Sequence, residues 1–112
     1  MIARTWRGAV RAADADRYLA YLEETGLASY RSTPGNRGAT VLRRILGDEC
    51  EFLILSLWES REAIKAFAGE EISVARFYPE DDQFLVNRDL TVNHYEVVWS
   101  DLPDLTASSP PS

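Results

Sequence analysis

Phe52-Leu53-Ile54-Leu55-Ser56-Leu57-Trp58 is the stretch that decides the fold. Successive side chains of a strand point to opposite faces, and here both sets are apolar. The segment therefore reads as the core of a strand, Cys50 to Trp58, buried from two sides. Just before it, Gly47-Asp48 fits a two-residue hairpin loop, because glycine can take the positive φ demanded there. Ala39 to Leu46 then reads as the partner strand, with Val41, Leu42 and Ile45 among Arg43 and Arg44. After it, Ser60 is placed to cap a helix with Glu62 in its first turn. Ala63, Ile64, Phe67 and Ala68 form that helix's buried stripe, and Gly69 stops it.

Farther out the pattern continues. Ile2 to Val10, with Trp6, reads as the first strand. Asp14 is a candidate N-cap for a helix carrying Tyr18, Leu19 and Leu22 at helical spacing. Gly26 is expected to end it, or Leu27 to Tyr30 add one more turn. Ser32 to Gly38 is a loop, with Pro34-Gly35 suited to a type II turn. The connection from Glu70 to Leu90 is long for a compact domain. Glu70 to Arg76 is expected to form one or two helical turns, and Pro79 to open another. Phe77, Tyr78, Phe84 and Leu85 give this connection something to bury. Thr91 to Trp99 reads as the last strand, with Val92, His94, Glu96 and Val98 on one face and Tyr95, Val97 and Trp99 on the other. Residues 2–99 form one domain, and 100–112, rich in Ser and Pro, are expected to be a flexible tail.

Composition removes several classes of function. The 112 residues suit a single domain, and 12 basic against 18 acidic residues give a net charge of -6. That balance opposes nucleic acid and anionic membranes as partners. No apolar run reaches the ~20 residues of a membrane span, and the first residues lack the pattern of a signal peptide. Cys50 is the single cysteine, so it makes neither an internal disulfide nor a metal site alone. A cytoplasmic domain without a metal is expected. The run Glu80-Asp81-Asp82 reads as a solvated turn, since adjacent carboxylates rarely converge on one ion.

The order strand, helix, strand, strand, helix, strand is α+β and ferredoxin-like, βαββαβ. It implies a four-stranded antiparallel sheet with both helices on one face. Two helices cannot cover a second apolar face. Burying that face removes several hundred Å2 of apolar surface, on the order of 10 kcal/mol before entropy costs. A second copy packed sheet to sheet, a two-fold homodimer, meets the need. The alternative is a monomer whose long connection or tail covers the face.

Several residues resemble a known family. They are Trp6-Arg7-Gly8, the Pro34-Gly35-Asn36 loop, Phe52 to Ser60 running into Glu62-Ala63, Ala66-Phe67-Ala68-Gly69, and His94-Tyr95-Glu96-Val97. Together they resemble the dimeric α/β-barrel proteins of the antibiotic biosynthesis monooxygenase type, over residues 2–99. The resemblance implies a cofactor-independent monooxygenase acting on a small phenolic, quinol or anthrone-like aromatic. In that chemistry the substrate loses a proton and its electron-rich anion reduces O2 directly. It also implies that Trp58 stands where those enzymes keep a pocket tryptophan. The asparagine they place near it has no counterpart on the third strand, where Ile54 stands; the asparagines here are Asn36, Asn87 and Asn93.

Such a pocket needs an aromatic slot and a few polar groups for the anion. Arg4 on the first strand is the candidate anion partner, and Trp6, Phe67, Phe77 and Tyr78 are candidate walls. His94 is the only histidine, so imidazole proton transfer must use it. Glu96, two residues on, would share its face, orient it and raise its pKa. The plainer alternative is a histidine with a structural role. Haem is the second chemistry the superfamily offers, but its degraders resemble proteins with a helix-borne histidine ligand, which this chain lacks, so no cofactor is expected. From another class comes a non-catalytic dimeric barrel that binds a small apolar ligand or a protein partner.

Overall fold

The computed structural model describes residues 1–102. Along the chain lie β1 (Ile2–Arg11), a tight turn at Ala12–Asp14, α1 (Ala15–Glu24), α2 (Gly26–Ser32), β2 (Asn36–Leu46) and β3 (Glu49–Trp58). They are followed by α3 (Arg61–Ala68), a single helical turn α4 (Asp81–Phe84), β4 (Leu85–Arg88) and β5 (Asn93–Glu96). The strands form one antiparallel sheet in the order β2-β3-β1-β4, with β5 also pairing β1. This is the ferredoxin-like arrangement, with its last strand in two pieces.

That division makes five strands where the sequence predicts four. Arg88 faces Gly8 and Asn93 faces Thr5. Residues 89–92 therefore stand against only Trp6 and Arg7, and the surplus bends away from the sheet. The excursion is tied down at both ends. Asp89 donates its N–H to the Arg7 carbonyl, and the Trp6 indole donates to the Asp89 carbonyl, each at 2.9 Å. Val92 then donates to the Ser73 carbonyl and Ala75 to that of Leu90, around a bridge between Val74 and Thr91. A Cβ on Gly8 would sit 2.3 Å from the Trp6 ring, so Gly8 is what lets the indole lie back along β1.

Other expectations change locally. Glu70 to Arg76 forms no helix, because its backbone groups pair with residues 90–92 instead. Thr91 to Trp99 shortens to Asn93–Glu96. Asp14 does not cap α1; its carboxylate bonds Arg17. Gly26 opens α2 rather than ending α1. The break falls at Thr25, whose hydroxyl donates back to the Tyr21 carbonyl at 2.7 Å. The turns come out as read. Gly47 has φ 63°, Ser60 accepts the Ala63 N–H at 3.2 Å, and Asn36 donates to the Thr33 carbonyl around Gly35 at φ 88°. The flexible-tail expectation falls, from residue 103 onward, outside the described residues.

The register separates two faces. Cys50, Phe52, Ile54, Ser56 and Trp58 turn toward the helices and are buried with Val10, Tyr18, Leu22, Ile64 and Phe67. Cys50 is thus a small core residue. Leu53, Leu55 and Leu57 turn the other way, beside Leu42 and Tyr95. Leu42 is 50% exposed and Tyr95 55%. Ile72, Phe77 and Phe84 of the long connection pack on the helix-side core, so the connection is spent there.

Candidate functional site

A cleft opens between sheet and helices. Arg4, Trp6 and Ile54 form its floor, Tyr18 and Leu22 of α1 and Tyr30 of α2 one wall, and Phe67 of α3 another. Arg76, Phe77, Tyr78 and Asp81 cover it. It encloses about 40 Å3 of free space, enough for a water or two and well short of the few hundred Å3 of a ligand pocket. Admission of an aromatic ligand therefore requires the cleft to widen.

Arg4 dominates the floor. It is 3% exposed, and among the described residues it has no carboxylate partner. Its Nη2 donates to the Val74 carbonyl at 3.4 Å, its Nε has no partner, and its Cζ lies 5.5 Å from the centre of the Phe67 ring. Burial pushes its pKa down while the Tyr30 and Tyr78 hydroxyls pull it back up. A guanidinium keeps its proton in such a setting, so a cation is held in low dielectric without its counter-charge.

Behind Arg4 runs a polar chain. Trp58 donates its indole N–H to Ser56 Oγ at 2.8 Å, and Ser56 Oγ in turn reaches the Arg4 carbonyl at 3.5 Å. Burial holds the Tyr30 hydroxyl above the ordinary phenol range, while Arg4 and Ser56 draw it down. Tyr30 stacks edge-on against Trp58 at 5.7 Å and lies 4.6 Å from Phe67. Trp58, fully buried, thus stands one layer behind the cleft and supports Tyr30 and Phe67 rather than touching the free space.

His94 lies directly across from Arg4 on β5, and so on the helix-covered face. Its Nε2 is buried without a partner. Its pKa is lowered, first by burial and then by the Arg4 and Arg61 cations. This corrects the expected influence of Glu96, which shares the face but is exposed opposite Ile2 and does not raise the imidazole. Asp81 is also a correction. Instead of a solvated turn residue it is buried, and it accepts the Tyr78 N–H at 2.6 Å. Burial raises its pKa, against the Tyr78 N–H and Arg88, which lower it.

Arg4, Trp6, Phe67, Phe77 and Tyr78 therefore meet around one space, while His94 and Glu96 lie outside its lining. Sequence reasoning passes over Tyr30, Arg76 and Asp81. Arg76 stands next to Phe77 and Tyr78, a cation beside aromatics, which is a readable hint. Nothing in Glu80-Asp81-Asp82 marks which carboxylate turns inward. Asn36 stands opposite Trp58 in the ladder, but its side chain is committed to backbone, donating to the Leu57 carbonyl and accepting the Gly38 N–H.

The family model for antibiotic biosynthesis monooxygenase matches residues 1–75. No curated protein sequence matches the chain. Among solved structures, a Bacillus cereus protein assigned to the antibiotic biosynthesis monooxygenases is 22% identical, covers 91% of this chain and 95% of its own, and superposes with a TM-score of 0.63. SnoaB of Streptomyces nogalater, a cofactor-independent oxygenase seen there as its N63A mutant, is 17% identical, with 91% and 96% covered and a TM-score of 0.59. MhuD of Mycobacterium tuberculosis, a heme-degrader with two hemes in its active site, is 22% identical, with 89% and 98% covered and a TM-score of 0.55. At these identities the likeness is one of fold. Haem fits the present cleft poorly. The one imidazole is on a strand, outside the lining and beside two cations, and no group of three or more His, Cys, Asp or Glu able to hold a metal occurs among the described residues.

Proposed function

The chain belongs to the antibiotic biosynthesis monooxygenase family, and on that ground we propose that it is a cofactor-independent monooxygenase for a small phenolic, quinol or anthrone-like aromatic. The observation that carries the reading is Arg4, a buried cation without a carboxylate on the floor of an aromatic cleft. An unpaired buried charge is costly, and its cost is recovered when an ionised substrate oxygen sits against it. For an anthrone-like substrate, proton loss gives an anion whose ring carbon transfers electrons to O2 and bonds one of its oxygens. The O–O bond then breaks. One oxygen stays as the new carbonyl and the other leaves as water with two substrate hydrogens.

In this proposal Arg4 holds the ionised oxygen, and Trp6, Phe67, Phe77 and Tyr78 hold the ring. Trp58 and Ser56 position Tyr30 and Arg4 from behind. His94 is the proton acceptor, since it is neutral at pH 7 with Nε2 unpartnered. No organic cofactor or metal is included in this proposal. The working particle is a homodimer closed through the Leu53-Leu55-Leu57 face, as is common in this family. The single, fully buried Cys50 suits a reducing compartment such as the cytoplasm.

One observation favours a rival. His94 is absent from the cleft lining, as suits a non-catalytic barrel that binds a small apolar ligand or a protein. Oxygen uptake with a panel of hydroquinones and anthrones separates the two. The enzyme reading expects uptake by the wild type that falls at least tenfold in His94→Ala and further in Arg4→Gln. Uptake unchanged in His94→Ala removes the proton-acceptor role, and no uptake across the panel favours the rival.

A further inference from the structure

Of the 12 cations in this acidic chain, seven are paired with carboxylates among the described residues. Arg7, Arg17, Arg37, Arg43, Arg44, Lys65 and Arg88 each hold a carboxylate. Arg4, Arg11, Arg31, Arg61 and Arg76 do not, and Arg4 and Arg76 are the two of these that line the cleft. Arg4 on the floor is unpaired with its Nε unsatisfied. Arg76 at the mouth is exposed and equally without a carboxylate among the described residues. Its Nη1 donates to the Phe67 carbonyl at 2.9 Å, and its Cζ stands 5.0 Å from the Phe67 ring centre and 5.1 Å from that of Tyr78. Both guanidinium groups thus address one ring, Phe67. The acid in the lining, Asp81, is engaged by the Tyr78 N–H.

We propose that the cleft takes an aromatic acid, whose carboxylate is held at the mouth by Arg76 while its ring lies along Phe67 and Tyr78 and its far end meets Arg4. A neutral phenol supplies one negative charge, and only when it ionises. Two unpaired arginines match a ligand that arrives as an anion and gains a second charge at the floor. Arginine suits the handle because its planar fork binds carboxylate through two parallel bonds and stacks on rings at the same time. The assignment of the floor end rests on the function proposed above; the carboxylate handle at Arg76 stands on its own geometry.

The test is a fluorescence titration of the full chain with 2-naphthoate and its neutral isostere 2-naphthamide. The wild type is expected to bind the acid at least tenfold more tightly, with the advantage shrinking in high salt. Arg76→Gln is expected to make the two ligands equal, Arg76→Lys to keep part of the preference, and Arg43→Gln, on the edge strand β2 and paired with Asp16, to keep all of it. Equal binding of acid and amide by the wild type overturns the proposal, as does a preference that survives Arg76→Gln or vanishes in Arg43→Gln. Oxygen uptake keeps the two proposals apart. A naphthoate preference without any quinol oxidation sinks the monooxygenase reading and leaves the handle standing. Quinol oxidation without acid preference does the reverse.

Discussion

Two arginines of β1, on opposite faces of the sheet, are in opposite states. On the bare face Arg7 and Arg44 close on Glu51 at 2.5 and 2.7 Å, and together they hold its carboxyl below the usual carboxylate range. On the covered face Arg4 is buried with no carboxylate at all. A surface that sets a satisfied Glu51 beside Leu42, Leu53, Leu55 and Leu57 suits contact with another protein surface. A buried cation left uncompensated is built to meet a charged ligand. On the proposed function one sheet divides assembly from chemistry, and alternation along β3 is what divides its faces.

The largest expected effect tests that alternation. Phe52→Ala should cost about 3–5 kcal/mol in denaturant unfolding, since the ring is fully buried against Tyr18 at 5.1 Å. Leu53→Lys, one residue along, should leave each subunit folded and reduce the sedimenting particle from a dimer to 12.6 kDa. Similar unfolding costs for both would erase the distinction between faces. Next, Arg4→Met should leave stability unchanged or raise it by about 1–3 kcal/mol, because it exchanges an unpaired buried charge for an apolar chain of similar length. Turnover of a quinol should meanwhile fall by about 100-fold. A variant that loses stability and keeps turnover would make Arg4 a structural residue.

The smallest effect is in pH. His94 has its folded pKa below the ordinary 6.5, so between those two values the unfolded chain binds more protons than the folded one. Stability therefore rises with pH across that window and falls on acidification through it. His94→Asn should flatten this part of the urea-midpoint profile. An unchanged slope would place the titration elsewhere.

Much of this division was legible in the residues. Apolar alternation in Phe52 to Trp58, Ser60 as a cap and Gly47-Asp48 as a hairpin are local chemistry, and each is satisfied by neighbours within a few positions. The split of the last strand was not legible, because it depends on residues 73–75 competing for the backbone of residues 90–92. That is a tertiary pairing with no periodic mark. In the site, the candidate anion partner Arg4 and the candidate walls Trp6, Phe67, Phe77 and Tyr78 line one cleft. Tyr30 was not legible, since its meeting with Arg4 and Ser56 follows from how α2 packs on the sheet. The inward turn of Asp81 likewise comes from its bond to the Tyr78 N–H.

The most direct measurement is the ionisation of a phenol inside the cleft. With 2-naphthol bound to excess protein, its absorbance followed against pH should show the hydroxyl ionising well below its value in free solution, and Arg4→Gln should return it toward that value. A bound phenol that ionises at or above its solution pKa in the wild type would mean that Arg4 offers no stabilisation to an oxyanion, and the chemistry assigned to this face would fail.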